Sequence, residues 1–281
     1  MRIAFATIAL LVTAVAYYVF NTNDTDAVLD QRWASYAESS DLEIDYDNWQ
    51  LLLDDYLISD TESGVHLFDY AGLHDDGREG LDEAVDQLVA TDPLLLNRQE
   101  QKAFWINLYN ILTVQLILDN HPVASITTLG SNPVEFGPWN ETATTINGVE
   151  LSLNDIEHRI IRPLYDDYRI HFAVNCASIG CPNLSPEVFT AESLDEQLDN
   201  AAAEYLTHPR GIVFEGKNLK LSTLFKWYAS DFGENQKEVL STLGQHVSPE
   251  VQEKLSSFDD EPVYDYDWSL NGYCSIDNEC G

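Results

Sequence analysis

Between Ala103 and Leu118 the chain is apolar almost without interruption, with Asn107, Asn110 and Thr113 its few polar side chains short of Gln115. The surrounding pattern predicts a helix from Arg98 to Asn120, closed at His121-Pro122 because proline disfavours helical backbone in the residue before it. A helix that is apolar nearly all round must be covered on every side. The rest of the chain therefore has to supply a shell around this segment.

The shell is legible in pieces. Asn23 to Asp60 reads as a polar lead into two amphipathic helices, the second around Trp49, Leu52, Leu53, Tyr56 and Leu57. His66 to Tyr70 suits a short extended piece, and Leu81, Val85, Leu88 and Val89 recur at helical spacing up to the break at Asp92-Pro93. Thr144 to Leu151 predicts a hairpin, since Asn147-Gly148 fits a tight turn with positive φ. Ser152 to Asp155 resembles a capped start for a helix reaching Ile161, and Arg169 to Val174 reads as a buried strand. Ser193-x-x-Glu196 has the form of a capping box opening a helix to Leu206. A second hairpin over Ile212–Leu221 and helices around Leu224–Phe232 and Gln236–Leu243 complete the series. The expected fold is α+β: a mainly helical single domain, residues 65–271, with a small antiparallel sheet in its middle. An acidic helical extension (21–64) precedes it and a tail (272–281) follows.

Charge narrows the partners. The chain of 281 residues carries 48 acidic against 14 basic residues, a net charge of −34. That excess excludes nucleic acid, whose phosphates require clustered Lys and Arg. Aromatic content of 11% argues against intrinsic disorder despite the charge. The acidity is uneven: Gln101 to Ser230 holds 15 acids and 8 bases, whereas Asp24 to Glu100 holds 21 and 3. Residues 1–20 begin Met1-Arg2 and continue uncharged from Ile3 to Phe20, which reads as a signal peptide or an N-terminal membrane anchor. The body is then expected outside the cytoplasm, periplasmic or held facing outward.

Four phrases occur in order: Ala103-Phe104-Trp105-Ile106-Asn107-Leu108-Tyr109-Asn110; Leu153-Asn154-Asp155-Ile156-Glu157-His158; Arg169 to Cys176 with Cys181-Pro182; and Leu221-Ser222 with Phe225 to Tyr228, Asp231-Phe232 and Tyr266 to Asn271. Together they resemble the family catalogued as domain of unknown function 547, over about Val65 to Asn271. The resemblance implies no activity, so chemistry is argued from the residues.

Cys176 ends the Arg169–Val174 segment on a loop, where a rigid scaffold tends to place reacting groups. A thiolate is a strong nucleophile when donors lower its pKa. His158 or His171 is the candidate base, with Glu157 nearby, Asn154 better spaced to orient His158, and Asn107 a donor to an oxyanion or a brace for loops. Arg159, Arg162 and Arg169 fall within eleven residues and suit a carboxylate or phosphate, unless they answer local acids. Asn175, Trp105 and Asn110 complete the candidate ligand contacts. Cys274 with Cys280 is expected to staple the tail, and Cys176 with Cys181 offers a second bridge. Zinc held by the two histidines and Cys176 and Cys181 is a third option, although C-x4-C lacks the usual paired spacing, and no metal or cofactor is expected. Two functions remain: a thiol-dependent hydrolase or acyl transferase of the envelope, and a non-catalytic envelope domain binding a small anion or a protein partner.

Overall fold

The computed structural model describes residues 29–132 and 136–273. The apolar leader and the Cys274–Cys280 staple lie outside these residues. The fold is mainly helical α+β.

Helix α1 (Asp47–Tyr56) leads into strand β1 (Leu57–Ile58), which pairs antiparallel with β2 (Leu67–Phe68). A helical turn at Tyr70–Gly72 and a π turn at Leu73–Gly77 run into α2 (Arg78–Val89). Helix α3 (Arg98–Asp119) follows, its start capped by the Asn97 side chain, which accepts from the Gln99 and Glu100 amides. As the sequence pattern requires, α3 is buried continuously from Glu100 to Val114. Trp33 packs edge-on against Trp105 at 5.2 Å, one contact of the shell that covers it.

Of the two helices expected in the extension, the described residues form one, α1. Upstream of it, among the described residues, only a 3₁₀ turn at Gln31–Trp33 is regular. Backbone donors there find partners on the body instead: Ala37 N–H to Leu96 O and Ile44 N–H to the Glu100 carboxylate. These bonds compete with helix formation in a segment rich in Ser and Asp.

Strands β3 (Thr142–Ile146) and β4 (Val149–Ser152) form the expected hairpin, with Asn147 at φ 50° and Gly148 at φ 77° in its turn. After α4 (Arg162–Tyr165) and α5 (Leu194–Thr207), β5 (Ile212–Glu215) and β6 (Asn218–Ser222) form the second hairpin. Helices α6 (Leu224–Trp227), α7 (Ala229–Phe232), α8 (Gln236–Leu243) and α9 (Pro249–Ser256) lead to β7 (Val263–Asp265). β7 pairs parallel with β6, so the described residues form three small sheets, and one contains a parallel pair. At the start of α5 the Ser193 hydroxyl bonds Thr190 rather than capping the helix.

The largest departure is at Arg169–Val174. Instead of a strand, Tyr168–Phe172 is a 3₁₀ helix capped by the Asp167 side chain on the Arg169 amide. The alternation is explained by burial on two sides. Ile170 and Ala173 enter the large core around α3, while Phe172 enters a second core built from α5 to α9 and the β5–β7 sheet. This short helix thus lies where the two cores meet, and the candidate site forms beside it.

Among the described residues no helix is long and apolar enough to cross a membrane; α3 is covered by protein.

Candidate functional site

The site begins with the loop after the 3₁₀ helix. Asn110 on α3 donates to Ala173 O at 2.9 Å and accepts from Asn175 N–H at 2.9 Å. Asn175 then donates to Pro182 O at 2.7 Å and accepts from Ala177 N–H at 2.8 Å, closing the loop on itself. Cys176 stands at its head, followed by Ala177 at φ 56°. A non-glycine residue in the left-handed region costs of order 1–3 kcal/mol and persists only where the surroundings over-determine it. Gly180 admits the tail: a Cβ there would lie 2.8 Å from the Asp267 nitrogen, and the Gly180 amide bonds Asp267 O at 2.7 Å. From the other side Arg210 donates to Ile179 O and Cys181 O, at 3.0 and 2.8 Å.

The half-buried Cys176 is a free thiol, as is the buried Cys181. The Cys176 sulfur lies 2.8 Å from Cys181 Sγ, 3.1 Å from Tyr266 Oη and 3.3 Å from Ser178 Oγ. Burial pushes its pKa up, but hydrogen bonds from Cys181, Ser178 and Tyr266 outweigh burial and hold the thiol below its ordinary value. Burial and the neighbouring Cys176 push Cys181 well up, so the two sulfurs differ in character. Among the described residues the hydrogen-bond partners of Cys176 Sγ include no imidazole; two hydroxyls and a thiol surround it.

The histidines belong to an adjoining ionic cluster. Asp155–Ile161 is a π turn, a rare geometry frequent at functional sites, running into α4. It presents Glu157, His158 and, at its end, Arg162. Arg162 holds Asp231 of α7 in a fork, Nε to Oδ2 at 2.7 Å and Nη2 to Oδ1 at 2.8 Å. Asp231 Oδ2 also meets His171 Nε2 at 2.7 Å. Burial raises the Asp231 pKa, yet bonds from His171 and Arg162 hold it far below the usual carboxylate range. Glu157 is buried likewise, which raises its pKa, but His158, His171, Arg162 and the Tyr228 hydroxyl together keep it below its ordinary value. Tyr228 stacks on His171 at 4.1 Å and receives the Arg162 guanidinium over its ring at 5.0 Å.

Arginine carries no acceptor, so the 3.1 Å contact from Arg162 Nη1 makes His158 Nδ1 the acceptor and puts its ring proton on Nε2. Arg162, rather than Asn154, therefore orients His158; Asn154 donates to Asn140 at 2.7 Å. Glu157 stands 4.0 Å from the neighbouring ring and makes no hydrogen bond to it.

Cys176, Cys181, His158, His171, Glu157 and Arg162 line one cavity of about 80 Å³. One water needs roughly 10–15 Å³ on this measure, so several waters or a small acyl group fit. Its walls are aromatic: Trp139, Trp227, Tyr228, Tyr266 and Trp268. Trp227, Tyr266 and Trp268 pack on one another with centroids 4.7–5.5 Å apart.

Other sequence candidates lie elsewhere. Asn107 braces a loop, donating to Phe189 O at 2.7 Å and accepting from Phe189 N–H at 3.1 Å. It makes no part of the cavity wall, and neither does Trp105, which is core. Arg159 meets Asp155, and Arg169 meets Asp167, Asp195 and Asp199. The three arginines thus answer carboxylates of the protein and do not form one anion site. Among the described residues no group of three or more His, Cys, Asp or Glu is spaced to hold a metal ion, the two histidines and two cysteines included. Sequence reasoning missed Asp231, Tyr228, Trp227, Tyr266 and Trp268 as site residues, although all five fall within the family phrases.

Residues 93–206 match the family model described as Protein of unknown function, DUF547. This segment belongs to that family. The match takes in α3, the π turn, the 3₁₀ helix and the cysteine loop, and ends within α5. No curated protein and no solved structure gave a match.

Proposed function

We propose that this protein is a thiol-dependent hydrolase or acyl transferase of the cell envelope, with Cys176 as nucleophile. The observation that carries this reading is the Cys176 sulfur, held within hydrogen-bond distance of Tyr266 Oη, Ser178 Oγ and Cys181 Sγ at the wall of a cavity large enough for water. A sulfur so placed ionises more readily than an ordinary thiol, without a histidine base. It attacks the carbonyl carbon of an acyl donor; a carbon–sulfur bond forms and the leaving group departs, taking its proton from water in the cavity. The acyl group then passes to water or to a second acceptor.

The two histidines have different parts. His171 is shut away, with its Nε2 occupied by Asp231, and positions the cluster. His158 is the more exposed ring and carries its proton on Nε2, a neutral donor suited to the oxygen that becomes negative during attack. The apolar run from Ile3 to Phe20 supports an address outside the cytoplasm.

The test uses p-nitrophenyl acetate as acyl donor. The expected result is nitrophenol release with an acetyl adduct mapped to Cys176, abolished in Cys176→Ala and slowed in His158→Phe. Release that persists in Cys176→Ala, or an adduct mapped elsewhere, sinks the proposal.

A further inference from the structure

Acyl transfer at Cys176 leaves one group in the cavity unexplained. Cys181 is a second thiol, almost wholly buried, whose sulfur faces the nucleophile at 2.8 Å. Three contacts hold it there. The Cys176 backbone N–H points at Cys181 Sγ at 2.9 Å, and Arg210 pins the Cys181 carbonyl. Tyr205 fixes the preceding residue through Gly180 O at 2.7 Å. A disulfide needs its sulfurs about 2.05 Å apart, so closure asks less than ~1 Å of movement. Both cysteines line the cavity, but they differ in access: Cys176 is part-buried, whereas Cys181 is buried.

We propose that Cys181 is a resolving thiol, which converts a sulfenic acid formed on Cys176 by a hydroperoxide into a reversible Cys176–Cys181 disulfide. In the first step the Cys176 thiolate attacks one peroxide oxygen. The O–O bond breaks, sulfur loses two electrons, and the hydroperoxide leaves as an alcohol or, from hydrogen peroxide, as water. In the second step Cys181 sulfur attacks Cys176 sulfur, the S–O bond breaks, and hydroxide leaves as water with the proton that Cys181 carried. A dithiol reductant returns both thiols by exchange. The donors around Cys176 explain why it reacts first, and the contact with Cys181 explains why oxidation stops before the irreversible acids. The disulfide itself depends only on the nucleophilicity of Cys176; that it switches off acyl transfer rests on the function proposed above.

The experiment treats the reduced full-length chain with hydrogen peroxide in the presence and absence of dimedone, a sulfenic-acid trap, and maps the peptides. Wild type is expected to give a Cys176–Cys181 cross-linked peptide that dithiothreitol reverses under native conditions, with little dimedone adduct. Cys181→Ser is expected to give the dimedone adduct on Cys176 instead, and Cys176→Ser neither product. Should the serine variant fail to fold, the wild-type cross-link and its reversal decide alone. The proposal is overturned if wild type traps as much dimedone as Cys181→Ser, if Cys176 bridges to Cys274 or Cys280, or if a Cys176–Cys181 bridge is present from the start and resists native reduction. Acetylation of Cys176 without this cross-link defeats the resolving role alone; the cross-link without acetylation defeats the acyl-transfer reading alone.

Discussion

Replacing Asp231 with alanine tests the ionic cluster at its centre. Asp231 is the carboxylate that meets both Arg162 and His171, whose side chains are only 3% and 1% exposed. Removing it deprives a buried guanidinium of its forked carboxylate partner, while Glu157 stays nearby as a shared counter-charge and His158 Nδ1 as an acceptor. Breaking a buried pair by deleting one member costs about 3–5 kcal/mol. The Asp231 side chain is itself 23% exposed, so water reaches the gap and the figure should be discounted to ~2–4 kcal/mol. For a body of this size each kcal/mol moves the melting temperature by about 2–4 °C, so a loss near 3 kcal/mol lowers it by roughly 6–12 °C.

Urea unfolding of wild type and Asp231→Ala, followed by far-UV circular dichroism from pH 7 down to pH 3, measures the difference. The Asp231 pKa is depressed in the folded state, so its contribution is complete above the unfolded carboxylate value of about 4 and is lost as pH falls through the folded value. The gap between the two proteins should therefore be widest at pH 7 and narrow in acid. A loss below ~1 kcal/mol at pH 7, in the range of an exposed pair, would refute the claim that this cluster is a buried one. A gap that widened in acid would refute the sign of the linkage.

Three further outcomes follow from the same geometry. Tyr266→Phe removes the hydroxyl 3.1 Å from Cys176 Sγ, and the rate of iodoacetamide alkylation at Cys176 should shift to higher pH; an unmoved profile would show that Tyr266 does not stabilise the thiolate. Asn107→Ala orphans the buried Phe189 N–H and C=O, so the urea midpoint should fall by an amount equivalent to about 2–4 kcal/mol, while folded protein keeps Cys176 acetylation; loss of acetylation at full stability would return Asn107 to the reaction. Ala177→Gly relieves the left-handed backbone at φ 56° but frees the unfolded chain, so stability should change by less than ~1 kcal/mol in either direction; a larger loss by thermal melting would mean that the Ala177 methyl is a packing contact of weight.

Much of the fold was readable because local signals and burial agreed. The α3 helix follows from an apolar run too long for a strand, and the β3–β4 turn from Asn147-Gly148 taking the positive φ values such a turn needs. Where they disagreed the reading failed. Arg169 to Val174 alternates like a strand, yet Asp167 caps it into a 3₁₀ helix, and its apolar residues enter two different cores. A linear pattern records that a residue is buried, not against what. The cluster of Cys176, Glu157, His158, Arg162 and His171 was accessible from residue types within one stretch. Its completion was not, since Asp231 looks like any other acid of an acidic flank until the fold brings it to Arg162. Histidine as the base for Cys176 was an inference from residue chemistry; the sulfur instead finds Tyr266 and Ser178, neither marked by spacing.

The segment that belongs to the family, residues 93–206, supplies the nucleophile, both histidines, Glu157, Arg162 and Cys181. It supplies only part of what sets their electrostatics. The counter-ion Asp231 and the stacked Tyr228 come from α6–α7, and the hydroxyl on the sulfur comes from Tyr266. The stretch carrying Tyr266 is tied down at several points: Ile179 N–H to Ser269 O at 2.8 Å, Leu270 N–H to Ala124 O at 2.9 Å, and Phe68 N–H to Asn271 O at 2.8 Å. A buried cation and a thiolate both need such partners before they can exist in a low-dielectric cavity. The chemical unit is therefore longer than the matched segment and extends at least to Asn271. This also changes what the acidity means. Among the described residues most carboxylates of the flanks face solvent, but Asp231 lies just past the base-rich middle and pairs with Arg162, which lines the cavity, so a residue of the acidic shell is a structural member of the site.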